Sequence, residues 1–320
     1  METTTERPSS LLWELVSTIG VPGVIEGRNG HFDEEMKKLA GSNKVSLLYS
    51  LACGYKANDL MARNRLLTDT LTEISALFNS AGIKYSIFKT LKPFPTTPSD
   101  IDVLLSGEDL GRAQSLLLSL GYKETARDAY SITMEKEMIV DLQQQPSVSG
   151  VPYLPKDLLI ENATVKRING IDVHTLGPEA EILVIASHSL YKEQMFTLND
   201  YYSVTILAEQ IAFSKLLNLA NGAYVLEALQ IVVGLCSQIT ESVFSKKLRI
   251  SELDLFLQSP KARRIYTMPV KFPLSMIISL LIHRARKDEA VRRKIVFAIL
   301  GIAKPRQMFK LLSHLTRKTY

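Results

Sequence analysis

The stretch Ser99–Leu105, which reads Ser-Asp-Ile-Asp-Val-Leu-Leu, indicates both the fold and the chemistry of this chain. It predicts a strand over Asp100–Leu105. Side chains two residues apart in a strand point to the same face, so Asp100 and Asp102 are expected side by side. Two neighbouring carboxylates repel each other unless a cation lies between them, and this pair suits Mg²⁺ or Mn²⁺. An exposed edge strand with two solvated aspartates is the alternative interpretation.

A third aspartate is expected on a neighbouring strand. Asp141 lies in Met138–Gln144, which forms a predicted hairpin with Tyr130–Thr133. If this strand pairs in the same sheet, three aspartates converge on one edge and can hold two metal ions. The polar loop before the first strand suits a triphosphate, although lysines beside carboxylates are also explained by charge compensation. The candidate nucleotide-binding residues are Lys89, Thr90, Lys92 and Ser99.

The elements around these strands predict an α+β fold with a small mixed β-sheet. Residues 8–80 have a helical pattern, and from Glu179 onward the pattern is again helical almost to the end. Between them lie short β-rich segments, one amphipathic helix over Glu108–Leu120, and a weak strand pair with an Asn169-Gly170 turn. The predicted regions are a helical N-terminal region over residues 1–80, an α/β core over residues 81–177 and a helical C-terminal region over residues 178–320.

The composition is that of a globular protein with a substantial core, because 46% of residues are hydrophobic and 22% are charged. The two cysteines, Cys53 and Cys236, each lie in an apolar run. Neither a disulfide framework nor a cysteine zinc site is expected, and a reducing, cytoplasmic location is predicted. The sequence predicts no secretory signal and no transmembrane segment.

The C-terminal end is strongly basic. Residues 261–320 carry 15 Lys and Arg against two acids, whereas the rest of the chain has 23 Lys and Arg against 31 acids. A basic end suits RNA, another polyanion or an anionic membrane surface, and a helical cap with solvated lysines is the plain alternative. The candidate polyanion-binding residues are Arg284, Arg286, Lys287, Arg292, Arg293 and Lys294.

Three further residues are candidates for the wall of a cleft opposite the aspartates. His188 and Lys192 are four residues apart in a predicted helix and therefore share one face. Together with Asp200 they could contact an acceptor. A partly buried histidine that is hydrogen-bonded within the protein is the alternative interpretation.

The segment from about Leu71 to Gln145 resembles the polymerase-β-like nucleotidyltransferases, and most closely their uncharacterised bacterial and archaeal members. The resemblance rests on a helix, a strand that ends in a phosphate-turn motif, a loop, the Asp-x-Asp strand and a later strand with a third aspartate. Phe88-Lys89-Thr90 occupies the turn, and Ile139–Leu142 supplies the third aspartate. A weaker likeness extends to Glu179–Tyr202.

The resemblance implies Mg²⁺-dependent transfer of a nucleoside monophosphate from a nucleoside triphosphate to a hydroxyl of RNA, a protein or a small molecule. Asp100 and Asp102 would bind the metal that carries the nucleotide, and Asp141 would complete a second metal site and help to activate the acceptor. The implied roles in phosphate binding are contact with the terminal phosphates for Thr90 and charge neutralisation for Lys89 and Lys92.

The chain departs from this family at the phosphate turn. The family usually has glycine there, because backbone N–H groups must approach the phosphates closely. This chain has Lys89-Thr90 and no glycine between Gly82 and Gly107. A modified pocket, a different donor and an inactive relative that binds nucleic acid or an anionic membrane through its basic end are the alternatives.

Overall fold

The structure, a computed structural model, describes residues 10–148, 150–247, 265, 267–289 and 291–293. The helices within these ranges are α1 (Ser10–Ile19), α2 (Glu34–Ser42), α3 (Ser46–Ala52), α4 (Asn58–Ser80), α5 (Leu110–Ser119), α6 (Lys156–Glu161), α7 (Pro178–Tyr191), α8 (Leu198–Ala208), α9 (Phe213–Gly222), α10 (Leu226–Phe244) and α11 (Leu274–Lys287). The strands are β1 (Gly20–Val21), β2 (Ile25–Glu26), β3 (Tyr85–Phe88), β4 (Asp100–Leu105), β5 (Lys123–Arg127), β6 (Ser131–Glu135), β7 (Ile139–Gln143), β8 (Ser147–Val148), β9 (Val151–Pro152), β10 (Ala163–Ile168), β11 (Ile171–Leu176), β12 (Met195–Phe196) and β13 (Val270–Lys271).

A seven-stranded mixed sheet lies at the centre, in the order β10-β11-β3-β4-β7-β6-β5. Strand β4 runs antiparallel to β3 and parallel to β7, so the two strands that carry the aspartates are direct neighbours. The predicted hairpin is present as β6 and β7. The predicted α+β fold with a mixed sheet is therefore confirmed.

One face of the sheet is covered by α4 and α5. Alternate residues of β4, namely Ile101, Val103 and Leu105, are fully buried there. They pack with apolar residues of α4 such as Leu71 and Phe78. Because side chains alternate along a strand, the two aspartates of β4 point to the opposite face.

The opposite face meets a second group of helices, which includes α1, α7, α8 and α10. Leu104 and Phe88 of the sheet belong to this apolar cluster. Asn43, buried between α2 and α3, links the N-terminal helices to the start of α8. Its side-chain Oδ1 accepts the N–H of Leu198 at 3.2 Å, and its carbonyl accepts that of Asn199 at 3.2 Å. The aspartate face thus lies beside helices from both the N-terminal and C-terminal regions.

In the first half of the chain, one prediction about secondary structure is wrong and one strand was not predicted. Residues 8–80 are not entirely helical, because β1 and β2 pair as a short antiparallel ribbon. Gly20 begins it with φ +70°, and a Cβ there would lie 2.4 Å from the backbone nitrogen of Gly27, so only glycine allows this approach. Strand β5 was not predicted, because all five of its residues are exposed and show no hydrophobic alternation.

The prediction of a helical pattern from Glu179 onward is wrong at β12 and β13, which pair as a short antiparallel ribbon, and its parts at residues 248–264 and 294–320 lie outside the described ranges. Helix α4, which the sequence analysis places in the N-terminal region over residues 1–80, packs on the sheet of the predicted α/β core. In the described part of the chain, no helix is both long and apolar enough to cross a membrane.

Candidate active site

Three aspartates converge where β4 and β7 lie side by side. Asp102 is directly opposite Asp141 in the parallel register, and Asp100 lies two residues earlier on the same face of β4. One carboxylate oxygen from each residue lies within 4.8 Å of the others. Asp102 is buried, whereas Asp100 and Asp141 are half-buried. The structure therefore brings together all three predicted metal ligands.

The surroundings make negative charge costly at two of these carboxylates. Burial raises the pKa of Asp100, and the charge of Asp102 raises it further. Burial also raises the pKa of Asp141, although the Thr133 hydroxyl donates a hydrogen bond to its Oδ1 at 2.7 Å and opposes this shift. Such a cluster favours the binding of a cation.

Asp102 already has two donors from the protein. The Nζ of Lys89 lies 2.9 Å from its Oδ2, and the Nε2 of Gln143 donates to its Oδ1 at 2.5 Å. Burial alone would lower the pKa of Lys89, but the charge of Asp102 outweighs it, and the pKa lies above its usual value. Lys89 is thus a fixed cation beside the aspartates.

The turn that carries Lys89 is held by buried hydrogen bonds. The Lys89 N–H donates to Oε1 of Glu181 on α7 at 2.9 Å. The Thr90 hydroxyl accepts the N–H of Asp102 at 2.9 Å and donates to the carbonyl of Phe88 at 3.2 Å. Thr90 is buried and does not line the cleft, so its hydroxyl joins β3 to β4 and the predicted contact between Thr90 and a phosphate is not supported.

A cleft of about 380 Å³ opens beside the aspartates, within the size range of small-molecule sites. Its walls come from the α2–α3 connection, α4, the loop before β4, α7 and the segment that leads into α8. The structure brings most of the predicted site residues to this cleft; they are Lys89, Lys92, Ser99, Asp100, Asp102, His188, Lys192 and Asp200. Asp141 adjoins it through the aspartate cluster.

Two of these predicted residues also have structural hydrogen bonds. The hydroxyl of Ser99 donates to Oδ1 of Asp100 at 3.0 Å. Asp200 accepts from both the backbone N–H and the hydroxyl of Thr197, which caps the start of α8. Burial raises the pKa of Asp200, opposed mainly by the charge of Lys92. Asp200 therefore shapes the cleft wall as well as facing it.

Cations without partners line the same cleft. Within the described residues, Arg63, Lys92 and Lys192 line it and make no hydrogen bond or ion pair through their side chains. Burial lowers the pKa of Lys92, although Glu181 and Asp200 oppose this shift. These groups provide positive charge for an anionic ligand such as a triphosphate.

Sequence analysis missed several residues of the site. Arg63 comes from α4 and Lys44 from the α2–α3 connection, where no motif marks them, and Lys44 pairs with Glu193 at 3.7 Å. Glu181 and Tyr153 are buried behind the turn and the cleft, and the Tyr153 hydroxyl has no hydrogen-bond partner among the described residues. Only tertiary packing brings them here.

His188 is a neutral histidine in the cleft wall. Its Nε2 lies 3.6 Å from Oε1 of Glu193, and its ring packs edge-on against Tyr153 with centroids 6.0 Å apart. Burial lowers its pKa well below the usual value, and the positive charges of Lys89 and Lys192 lower it further. The ring is therefore neutral at neutral pH and can accept a hydrogen bond.

The buried His188 is expected to make the protein sensitive to acid. Below about pH 6.5 the unfolded chain binds a proton at this histidine and the folded chain does not, so the free energy of unfolding falls as pH falls. Between pH 7 and pH 5 this loss should be smaller in His188→Gln than in wild type by roughly 1–2 kcal/mol. Urea unfolding at both pH values measures it. The exposed His283→Gln is the control, and an equal loss in His188→Gln and wild type would contradict the prediction.

The basic candidates divide into a buried residue and exposed ones. Arg284 is only 2% exposed and donates to the carbonyl of Tyr153 at 2.7 Å, so its assignment as a polyanion-binding residue is wrong. Lys294 lies outside the described residues. The remaining candidates are exposed at or beyond the end of α11 and keep their predicted role as a hypothesis; they are Arg286, Lys287, Arg292 and Arg293.

Comparison with known proteins identifies relatives of this chain. A family model described as an uncharacterised nucleotidyltransferase matches residues 32–241. A solution structure of the antibiotic-resistance factor ANT(2'')-Ia is 15% identical with a TM-score of 0.36, and the match covers 48% of this chain and 89% of that one. A crystal structure of ANT(2'')-Ia with adenylyl-2''-tobramycin is 14% identical with a TM-score of 0.37, covering 48% and 95%.

An antigenic nucleotidyltransferase-like protein from Paracoccidioides brasiliensis is 14% identical with a TM-score of 0.33, and the match covers 56% of this chain and 97% of that one. No curated protein matches the chain. Similarities at these TM-scores transfer no residue role.

Proposed function

Because the chain belongs to the family of uncharacterised nucleotidyltransferases, we propose that its cleft transfers a nucleoside monophosphate from a nucleoside triphosphate to an acceptor hydroxyl. The family match confirms the predicted nucleotidyltransferase enzyme. The observation that carries the finer proposal is the convergence of Asp100, Asp102 and Asp141, with oxygens within 4.8 Å of one another, beside a cleft with unpartnered cations.

The three aspartates fit a divalent cation such as Mg²⁺ or Mn²⁺. Every donor atom is a carboxylate oxygen, which is the ligand type that these ions prefer. Burial and mutual repulsion raise the pKa of Asp100 and Asp141, and a bound cation would offset that cost. When bound, the ion would polarise the α-phosphate and neutralise negative charge as pyrophosphate leaves.

Side chains of the cleft would accept the proton of the acceptor and bind the phosphates. In the transfer, the acceptor oxygen bonds to the α-phosphorus while the bond from that phosphorus to the bridging oxygen breaks, and pyrophosphate leaves. We assign the acceptor proton to the carboxylate of Asp141, because the Thr133 hydroxyl holds its Oδ1 at 2.7 Å and no described lysine or arginine forms an ion pair with it. Lys92 and Arg63 would hold the phosphates through the charges that they leave unpaired at the cleft.

The acceptor is expected on the α7 side of the cleft. His188 and Lys192 line that wall, and neither side chain forms an ion pair with an aspartate of the cluster. The neutral His188 ring can hydrogen-bond an acceptor hydroxyl, and Lys192 can bind an anionic group on it. RNA, a protein and a small molecule are the three acceptor classes to be tested.

A labelling assay tests the proposed function. Purified protein is incubated with each α-³²P-labelled nucleoside triphosphate, Mg²⁺ or Mn²⁺, and an extract that contains RNA, protein and small molecules. Label should move to an acceptor with wild type and vanish in the double variant Asp100→Ala with Asp102→Ala, because the metal ligands are lost. Nuclease and protease digestion of the product then identify the acceptor class.

The matched control is a second double variant, Asp157→Ala with Asp172→Ala, which removes two exposed aspartates that do not line the cleft. It should label as wild type does. Label that persists in the Asp100 and Asp102 double variant, or no label from any donor with folded wild type, would count against the proposed function.

A further inference from the structure

Lys89 is the cation that lies closest to the aspartates. Its Nζ is 2.9 Å from Oδ2 of Asp102, and only 10% of the Lys89 side chain and 7% of the Asp102 side chain are exposed. The same Nζ lies 5.0 Å from the centre of the Phe88 ring. Opening a buried ion pair of this kind is costly, because each charge would remain unpaired away from water. The ammonium is therefore a built-in part of the cluster.

The backbone keeps Lys89 in this position despite local strain. Its φ is +60°, a left-handed conformation that is unfavourable for a residue with a side chain. The hydrogen bond from its N–H to Glu181 fixes the turn from one side, and the bond from the N–H of Asp102 to Thr90 fixes it from the other. Strain that the surroundings hold in place at a site is a sign of a functional requirement for that side chain.

The charges of the cluster indicate what Lys89 contributes. Asp100, Asp102 and Asp141 together carry three negative charges when ionised, and the Lys89 ammonium balances one of them. The two that remain match one divalent cation. A carboxylate that bridges two metal ions commonly binds one ion through each oxygen, and Lys89 and Gln143 each already contact one oxygen of Asp102, so it has less capacity for two ions than a free carboxylate. A second divalent ion would also lie close to the ammonium, and like charges repel.

We propose that the Lys89 ammonium takes the place of a second metal ion, so that the aspartate cluster holds one divalent cation. This inference rests on the proposed function and revises the expectation of two metals. It also gives Lys89 a role other than the neutralisation of charge on the leaving pyrophosphate.

Electron paramagnetic resonance of Mn²⁺ tests the proposal without nucleotide or turnover. Metal-free full-length protein is titrated with Mn²⁺, and bound ions per chain are counted. Wild type should bind one Mn²⁺ at the cluster, with the spectrum of an isolated ion. Lys89→Met should bind two, and ions about 3.5–4 Å apart should couple and broaden that spectrum. The Asp100→Ala with Asp102→Ala variant identifies the signal that belongs to the cluster.

Two matched variants separate the role of Lys89 from a general effect of charge. Lys92→Met removes a cation of the same cleft that is not paired with an aspartate and should still bind one ion. Lys89→Arg keeps a cation and should also bind one. Two cluster ions in wild type, or one in folded Lys89→Met, would overturn the inference and leave the proposed transfer intact. No cluster ion in wild type would also overturn the inference, and the labelling assay decides the proposed transfer separately. If Lys89→Met does not fold, the wild-type count decides.

Discussion

Replacing Asp141 by asparagine is expected to lower the rate of nucleotidyl transfer by at least about 10³-fold and, at the same time, to raise the thermal midpoint of the metal-free protein. The rate falls because the variant loses both a metal ligand and the proposed base for the acceptor proton. The midpoint rises because the pKa of Asp141 is raised, so its negative charge is disfavoured in the folded state at neutral pH.

The substitution preserves the local structure. Asparagine has the shape of aspartate, and its Oδ1 can still accept the hydrogen bond from Thr133. No described lysine or arginine forms an ion pair with Asp141, so the change leaves none of them without a partner. Removing one of three neighbouring carboxylates also relieves their repulsion. Stability and activity should therefore change in opposite directions.

The two measurements are transfer of label under single-turnover conditions and thermal unfolding followed by circular dichroism with a chelator present. Asp172→Asn, which changes an exposed aspartate of β11 in the same sheet, is the control and should alter neither quantity. An Asp141→Asn protein that is both active and unchanged in stability would contradict the prediction, because Asp141 would then be neither a metal ligand nor a base and would serve only as a residue of the sheet.

The aspartate cluster could be predicted from sequence because strand geometry is regular. The two-residue period of β4 places Asp100 and Asp102 on one face, and the apolar residues between and after them fix which face is buried. Asp141 could be added because its apolar segment has the pattern of a neighbouring strand. The sequence did not predict the register itself, and the structure shows it as a parallel pairing of Asp102 with Asp141.

The rest of the site could not be predicted, because it depends on packing between distant segments. Glu181 hydrogen-bonds Lys89 across 92 residues of chain, and Arg63 reaches the cleft from a helix that has no motif. The absence of a phosphate-turn glycine suggested a changed backbone. The structure instead has Lys89 in the left-handed conformation that glycine adopts easily, so this turn is formed by a residue with a side chain.

Arg284 shows why a count of charges misleads. The sequence places it in a run of basic residues, but it follows Ile277 by seven positions and Leu280 by four, which is the spacing of one helix face. Both of those residues are buried, and so is Arg284. The periodicity of α11 therefore distinguishes the buried arginine from its exposed neighbour Arg286, although their charges are the same.

Replacing Arg284 by methionine is expected to lower the free energy of unfolding by about 2–4 kcal/mol. Its guanidinium donates to the carbonyls of Pro152 and Tyr153 at 3.1 and 2.7 Å and lies 3.3 Å from Oδ2 of Asp288. Methionine fills similar space but removes the donor to the buried carbonyl of Tyr153 and the half-buried carbonyl of Pro152, and it removes the cation beside Asp288. Urea unfolding of the full chain measures the change.

The matched control is Arg286→Met, which changes an exposed arginine of the same helix and should stay within about 0.5 kcal/mol of wild type. The loss in Arg284→Met should extend to the cleft, because Arg284 holds the backbone of Tyr153 and the Tyr153 ring packs against His188. We therefore expect a higher KM for the acceptor in Arg284→Met than in Arg286→Met. If instead Arg286→Met lowers stability or raises KM more than Arg284→Met does, α11 acts through its exposed charges and the hydrogen bond from Arg284 to the Tyr153 carbonyl is unimportant.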